Sequence, residues 1–270
     1  MFKQEVDMLK PLSRTHEHLV SLLMTWSHEG NFYMLFPWAQ CDLSDFWESE
    51  SCAPPWAFQP HVTFHKTVTW MSQQVLGLAD AMEKLHSSSL TSTDRKYGRH
   101  GDIKPENILW YHNPDGERGT LVLSDFGSST LNTVNSRSNL TADRAAVTLT
   151  YRPPECDLRD GKLSRASDIW SFGCVLLELI TWALGGADLV HKFARTRCTP
   201  YITGVRTDAF HEALKSASGG YLMRIKPQVS GVSSHERNST LEITDDFPVH
   251  SRLTSQPKLH RIFSGPSRCN

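Results

Sequence analysis

Paired cysteines, an excess of one charge and a hydrophobic leader are all missing from this sequence. Its six cysteines (Cys41, Cys52, Cys156, Cys174, Cys198, Cys269) are scattered, with no C-x-x-C spacing. That argues against a zinc ribbon or a disulfide framework and fits free thiols in a reducing compartment. A net charge of −1 supplies no field to draw in nucleic acid or an anionic membrane, so neither is expected as a partner. The opening MFKQEVDMLK has no apolar core and no small-residue cleavage site, so it does not read as a signal peptide. An intracellular, cytoplasmic location is the expectation. No internal repeat is visible.

Apolar residues make up 39% and charged residues 21% of 270 positions, an ordinary globular balance that allows one large domain or two small lobes. The most apolar window, IWSFGCVLLELITWALGGA at 169–187, carries Glu178 at its centre and follows Asp168. It reads as a buried core helix rather than a membrane span. The triplets beginning at Asn139 and Asn238 match the glycosylation pattern, which carries little weight without a secretory signal.

Periodicity places the elements. Phe2, Val6, Leu9 and Leu12 share one helical face, with Pro11 near its end. HLVSLLMTW (18–26) and NFYMLFPW (31–38) read as strands joined by the turn SHEG. Val68, Met71, Val75, Leu78, Met82 and Leu85 form an unbroken stripe that predicts a helix over 66–86. A Trp- and Pro-rich segment at 47–61 and a Ser/Thr loop at 87–99 separate these elements. NILWYH and TLVLSDF flank the turn sequence NPDGERG, which predicts a β-hairpin. A helix over 168–184 ends before Gly185-Gly186, and a weaker one is expected over 207–217. Beyond about residue 226 the period fades and eight serines fall between 230 and 270; this tail is expected to be disordered, or to reflect an altered reading frame.

The chemistry concentrates in two short stretches, RHGDIKPENIL at 99–109 and SDFGS at 124–128. Phosphoryl transfer needs positioning and charge neutralisation more than covalent help. An aspartate orients the acceptor hydroxyl and takes its proton, a lysine steadies the transferred phosphate, and oxygen ligands hold the metal ions that bridge the phosphates. Asp102, Lys104, Asn107 and Asp125 fit those tasks, and the hairpin between the two stretches is expected to bring them together.

H-G-D-I-K-P-E-N resembles the protein-kinase catalytic loop H-R-D-L-K-P-E-N, and SDFG resembles that family's metal-binding tripeptide. VTLTYRPPE (147–155) is similar to the segment ending in A-P-E, with Pro153 in place of the alanine. SDIWSFGCVLLEL resembles the helix that anchors the C-terminal lobe, EVDMLKPLSRTHEHLVSLL resembles the αC helix and the strand after it, and FPWAQCDL resembles the hinge. The match covers roughly residues 2–185, and Lys104 points to serine/threonine rather than tyrosine kinases.

The resemblance implies an α+β, two-lobed protein-kinase-like fold, with a partial β N-lobe over 1–38 and a mostly helical C-lobe over 39–225. It implies ATP and Mg2+ as cofactors and a protein with a Ser or Thr acceptor as substrate, and leaves the oligomeric state open. Asp102 would be the catalytic base and Lys104 the phosphate-steadying cation. Asn107 and Asp125 would be the metal ligands. Glu5 would take the αC position that pairs with a strand lysine. Phe36 would border the adenine pocket, Asp42 would meet the ribose, and Leu109 would lie under the purine. Leu9, Leu22, His100 and Phe126 would stack to couple the lobes. Gly127 completes the tripeptide, Thr148 would order the acceptor site, Glu155 would anchor the activation segment, and Asp168 would brace the catalytic-loop backbone.

Three departures qualify this. Gly101 replaces the arginine that pairs with an activation-loop phosphate, so that loop is expected to order without phosphorylation. No G-x-G-x-x-G occurs, and only four residues precede Glu5, which leaves no room for the glycine-rich loop and the strand lysine. Losing one preorganised contact costs about 10²–10³ in rate, so a truncated N-lobe is expected to impair the enzyme. The last helices of the C-lobe, and the arginine that pairs with Glu155, cannot be placed. An impaired pseudokinase or a fragment acting as an interaction module therefore stands as the alternative to an active serine/threonine kinase.

Overall fold

The computed structural model describes residues 2–49, 63–87, 96–113, 118–133, 149–158, 161–201, 204–216, 220–230, 241–243 and 260–264. The chain divides into two compact units. One comprises Met1–Arg137 with Thr254–Asn270, the other Ser138–Leu253.

The first unit opens with α1 (Phe2–Leu12), which buries Val6, Met8, Leu9 and Leu12 along one face. Each such side chain contributes about 1.5–3 kcal/mol on leaving water. The helix ends where its carbonyls find other donors: Ser13 N–H bonds to Leu9 O at 2.8 Å, and the Thr15 hydroxyl to Leu12 O at 2.6 Å. Strands β1 (Met24–His28) and β2 (Asn31–Pro37) follow as an antiparallel pair. Their turn is two residues long, Glu29 at φ 49° and Gly30 at φ 76°, the left-handed pair that matches strand twist. The first of the expected strands starts later than its apolar run suggests. Residues 18–20 instead lie beside the later strand β6 (Thr120–Leu123), with Leu123 N–H bonded to His18 O and Val20 N–H to Leu123 O.

The hinge-like segment forms β3 (Cys41–Asp42) and α2 (Leu43–Glu48). Helix α3 (Thr63–Ser87) is the longest of this unit. Its buried face is broader than the apolar stripe and includes Thr67, Trp70, Gln74, Leu78, Ala81 and Leu85, while Val68 is exposed. The reason is polar. The hairpin of β5 (Ile108–Tyr111) and β6 backs onto α3; Gln74 Oε1 accepts from Leu121 N–H at 2.8 Å, and Trp70 Nε1 donates to Gly119 O at 2.7 Å. Backbone groups buried against a helix need such partners. Strand β4 (Lys96–Arg99) pairs antiparallel with β7 (Thr130–Thr133), and β3 joins β5 to make the order β3-β5-β6.

Gly77 lies in the middle of α3 because the His18 ring packs on it. A β-carbon there would fall 2.1 Å from His18 Nε2. The ring cannot swing aside freely, since His18 Nδ1 donates to Leu121 O at 2.6 Å. Alanine is the better helix former by about 1 kcal/mol, yet Gly77→Ala is expected to destabilise the protein by about 1–3 kcal/mol through overpacking. Urea unfolding of Gly77→Ala, His18→Ala and the double variant checks this, with the double variant recovering part of the loss.

Strand β13 (His260–Ser264) pairs in parallel with Tyr33–Pro37 of β2, giving the sheet order β1-β2-β13. Of the serine-rich tail, residues 226–230, 241–243 and 260–264 are described; the rest, like the 47–61 segment beyond residue 49 and most of the 87–99 loop, lies outside the described residues.

The second unit is built on α4 (Arg165–Arg197), started by a capping box between Ser164 and Ser167. Gly186, at φ 67° and ψ −166°, breaks the helix, so the glycine pair marks a break and a second helical stretch follows it. The helix is long and apolar enough to cross a membrane by length and composition. Two of its charged residues, Glu178 and Arg197, are nonetheless buried and paired. Arg197 Nη2 meets Glu178 Oε1 at 2.7 Å, the Tyr151 hydroxyl donates to Glu178 Oε2 at 2.8 Å, and the Arg197 guanidinium lies about 4 Å from the ring centres of Phe193 and Phe210 (4.1 and 3.9 Å).

Short strands β8 (Thr199–Pro200) and β9 (Arg206–Thr207) form one pair. Strands β10 (His211–Lys215), β11 (Tyr221–Ile225) and β12 (Leu241–Ile243) form an antiparallel sheet. The helix expected over 207–217 is thus a strand. Pairing with β11, closed by Ser216 N–H to Gly220 O at 2.7 Å, overrides a weak helical pattern. A second buried cluster centres on Asp157, which accepts from Arg152 at 2.6 Å, from His211 Nε2 at 2.7 Å and from the Tyr201 hydroxyl. These partners hold the Asp157 carboxyl below its ordinary value against the opposing effect of burial. Burial pushes Lys226 down, and its ammonium donates to Arg197 O at 2.6 Å and Thr207 O at 2.9 Å.

Candidate active site

The turn between β4 and β5 carries four of the expected residues, His100, Asp102, Lys104 and Asn107. Pro105–Asn107 make one 3-10 turn, with proline at its first position, where no N–H is needed. Asn107 N–H bonds to Lys104 O at 3.0 Å and closes it. Lys104 Nζ then lies 2.9 Å from Asp102 Oδ2. The Asn107 amide nitrogen donates to both Asp102 O (2.7 Å) and Asp102 Oδ2 (3.1 Å). The Asp102 carboxylate is therefore held from two sides at 14% side-chain exposure, open enough for an acceptor to reach it.

Asp125 is brought to this cluster by hairpin register. Ile108 pairs with Leu123, so Asn107 stands opposite Ser124. Ser124 donates to Asn107 O through both its N–H (2.9 Å) and its hydroxyl (3.0 Å). His100 Nε2 donates to Ser124 O at 2.8 Å, while His100 Nδ1 accepts from Asp102 N–H at 3.3 Å; the Nε2–H tautomer satisfies both bonds. One residue beyond, Asp125 sits at φ 61° and ψ 73°, with Oδ1 accepting from Gly127 N–H at 3.1 Å. A left-handed aspartate costs about 1–2 kcal/mol, and backbone strain of this kind gathers at functional sites. Asp102, Lys104 and Asn107 thus touch directly, and Asp125 is tied to them through Ser124 and His100.

The remaining expected residues are distributed as follows. Phe126 is buried, its ring 4.9 Å from that of His100, and α1 with buried Leu9 and Glu5 packs on the Phe126–Ser128 turn. Leu22 is half-buried and its carbonyl accepts from the Ser13 hydroxyl. Phe36 is buried in β2; Leu109 lies in β5, opposite Asp42 and Val122. Asp42 Oδ1 accepts from Asp45 N–H at 2.9 Å and caps α2, a local duty that motif reading did not foresee. The Tyr111 hydroxyl donates to Pro37 O at 3.2 Å, joining β5 to the end of β2; burial pushes it up to about 12, so it stays a donor. Thr148 lies outside the described residues. Glu155 and Asp168 belong to the second unit. Glu155 Oε1 accepts from the Ser167 hydroxyl at 2.5 Å, which ties the P-P-E turn to the first turn of α4, where Asp168 is buried.

Ser124 and Ser129 in the first unit, whose hydroxyls donate to Asn107 O and His100 O, and Ser167 in the second, whose hydroxyl donates to the Glu155 carboxylate, went unnoticed in the sequence. Such hydroxyl bonds leave no periodic trace, and only adjacency to D-F-G and to the α4 start could have marked them.

The donor set fits a hard divalent cation. Asn107 makes its bonds to Asp102 through nitrogen, which leaves its amide oxygen for other uses. Among the described residues no group of three or more His, Cys, Asp or Glu could hold a metal. One carboxylate and one amide oxygen suit Mg2+, which keeps waters and takes phosphate oxygens rather than filling a closed protein cage.

Comparison with known proteins agrees with this geometry. Residues 1–187 match the protein kinase domain family. The chain is 31% identical over 178 residues to the CTD kinase subunit alpha of Schizosaccharomyces pombe, covering 66% of this chain and 25% of that protein. It is 28% identical over 179 residues to cyclin-dependent kinase 7 of Dictyostelium discoideum, covering 66% and 41%. It is 26% identical over 271 residues to cyclin-dependent kinase-like 1 of Caenorhabditis elegans, covering 97% and 67%. The chain therefore spans about a quarter of the first of these proteins and two fifths of the second. A match over more than half its residues places the chain in the protein kinase family, on its serine/threonine branch.

Proposed function

We propose that this chain transfers the γ-phosphate of ATP to serine or threonine hydroxyls of protein substrates. The observation that carries the reading is the contact cluster of Asp102, Lys104 and Asn107, joined to Asp125 through Ser124. Asp102 orients the acceptor hydroxyl and takes its proton. Lys104, beside it, balances negative charge on the phosphoryl group in flight. Asn107 Oδ1 and the Asp125 carboxylate would hold Mg2+, which when bound would supply charge neutralisation for the phosphates. Phe36 and Leu109 border the purine, and Asp42 meets the ribose with the oxygen not engaged in capping. Glu5, buried on α1, takes the αC-like position that serves the nucleotide-binding side. Glu155 and Asp168 steady the segment that receives the substrate.

Calorimetric titration with ATP tests this, run with Mg2+ and again with excess EDTA. ATP affinity is expected to rise when Mg2+ is added, and transfer of labelled phosphate to Ser/Thr peptides is expected to need the metal. A chain that is folded by circular dichroism yet neither binds Mg2+–ATP nor labels any peptide would refute the reading.

A further inference from the structure

The ladder between β4 and β7 is in antiparallel register, with Arg99 opposite Thr130 at its end. Continued past that end, the same register sets His100 opposite Ser129, Gly101 opposite Ser128 and Asp102 opposite Gly127. The chain does continue in this way, by other bonds. The Ser129 hydroxyl, fully buried, donates to His100 O at 3.0 Å. Next to it, Gly101 runs at φ 89°, and a β-carbon there would lie 2.8 Å from Ser128 O and 3.1 Å from Nη1 of Arg99. Only a glycine lets that carbonyl and that guanidinium come so close. One step further, Gly127 N–H bonds to Asp125. A hydroxyl and a bare α-carbon thus extend the strand pairing from a regular ladder to the two acids.

We propose that Ser129 and Gly101 are positioning residues of the metal site, and that this seam fixes how Asp102 and Asn107 are aimed relative to Asp125. The proposal rests on the phosphotransfer reading above. It also changes the meaning of the glycine. Position 101 is not an arginine site left vacant; it is a close-packing site that a side chain of any size would pry open. The seam sets the angle between the loop and the D-F-G turn from within the fold, without a charged group added to the activation segment.

The test is a Mn2+ titration followed by electron paramagnetic resonance, in the presence of a β,γ-imido analogue of ATP. It is run at 10 °C, with circular dichroism confirming that each variant is folded. Ser129→Ala and Gly101→Ala are each expected to weaken Mn2+ binding about tenfold, the scale of one buried hydrogen bond. Ser129→Thr, which keeps the hydroxyl, is expected to bind like the wild type. Gly101→Arg is expected to bind no better than Gly101→Ala. General loss of stability would not alter Mn2+ affinity in a protein that remains folded. Wild-type affinity in both alanine variants, or tighter binding in Gly101→Arg, would overturn the proposal and leave the metal site standing. A wild-type protein that holds no Mn2+ would instead overturn the metal site, and this proposal with it.

Discussion

Asp125→Asn is expected to cut Mg2+-dependent phosphate transfer by about 10²–10³-fold, the effect of removing one preorganised charged group from a transfer site. The substitution keeps the shape. The asparagine oxygen can still accept from Gly127 N–H, and asparagine tolerates the left-handed backbone at φ 61°. What disappears is the negative charge facing the metal. Nucleotide affinity measured in EDTA should therefore stay constant, while the gain in affinity on adding Mg2+ should largely vanish. Asp102→Asn provides the contrast. It is expected to reduce transfer by a similar factor yet leave Mg2+–ATP binding in place, since Asp102 serves the acceptor side. Titration calorimetry and labelled-phosphate transfer on the two variants separate these effects. Equal loss of metal-dependent binding in both would mean that the acids do not divide the work as argued here.

Arg197→Met is expected to destabilise the second unit by about 3–5 kcal/mol, because it leaves a buried carboxylate without its counter-charge. Arg197 is completely buried and Glu178 nearly so. Besides the ion pair, the guanidinium donates to Asp208 O at 3.0 Å. In the variant Glu178 would keep the Tyr151 hydroxyl alone. Burial already pushes the Glu178 carboxyl up, and Arg197 is the main influence opposing it. Without Arg197 the carboxyl rises further. A raised carboxyl means that the native state binds more protons than the unfolded chain, so stability falls as pH increases through that window. The loss should accordingly be larger at pH 8 than at pH 5. Urea unfolding at both pH values measures this. Arg197→Met with Glu178→Leu should recover most of the loss, since a well-packed apolar pair replaces a buried ion pair at little cost.

Much of the candidate site was legible because its residues are set by local sequence. His100, Asp102, Lys104 and Asn107 lie on one turn, and NPDGERG announced the hairpin that carries Asp125. The strand register that joins the two stretches follows from the same turn. What could not be read were bonds whose partners have no fixed spacing, such as the Ser129 hydroxyl on His100 O or the Ser167 hydroxyl on Glu155. The helix stripe over 66–86 was found but centred too narrowly, since apolar counting ignores the polar atoms that Gln74 and Trp70 must offer a neighbouring strand. The error at 207–217 had the opposite cause. Local preference was weak there, and a partner strand ten residues on decided the outcome.

The parallel pairing of β13 with β2 also bears on synthesis. Tyr33 and His260 are about 230 residues apart. At the usual elongation rate of about 5–20 residues per second, the ribosome needs roughly 10–45 s to deliver the second after the first. Throughout that interval the β2 edge waits for its last neighbour, and an open edge recruits whatever extended chain is nearby. Yield in the cell should therefore track chaperone supply during translation more closely than it tracks the stability of the finished protein.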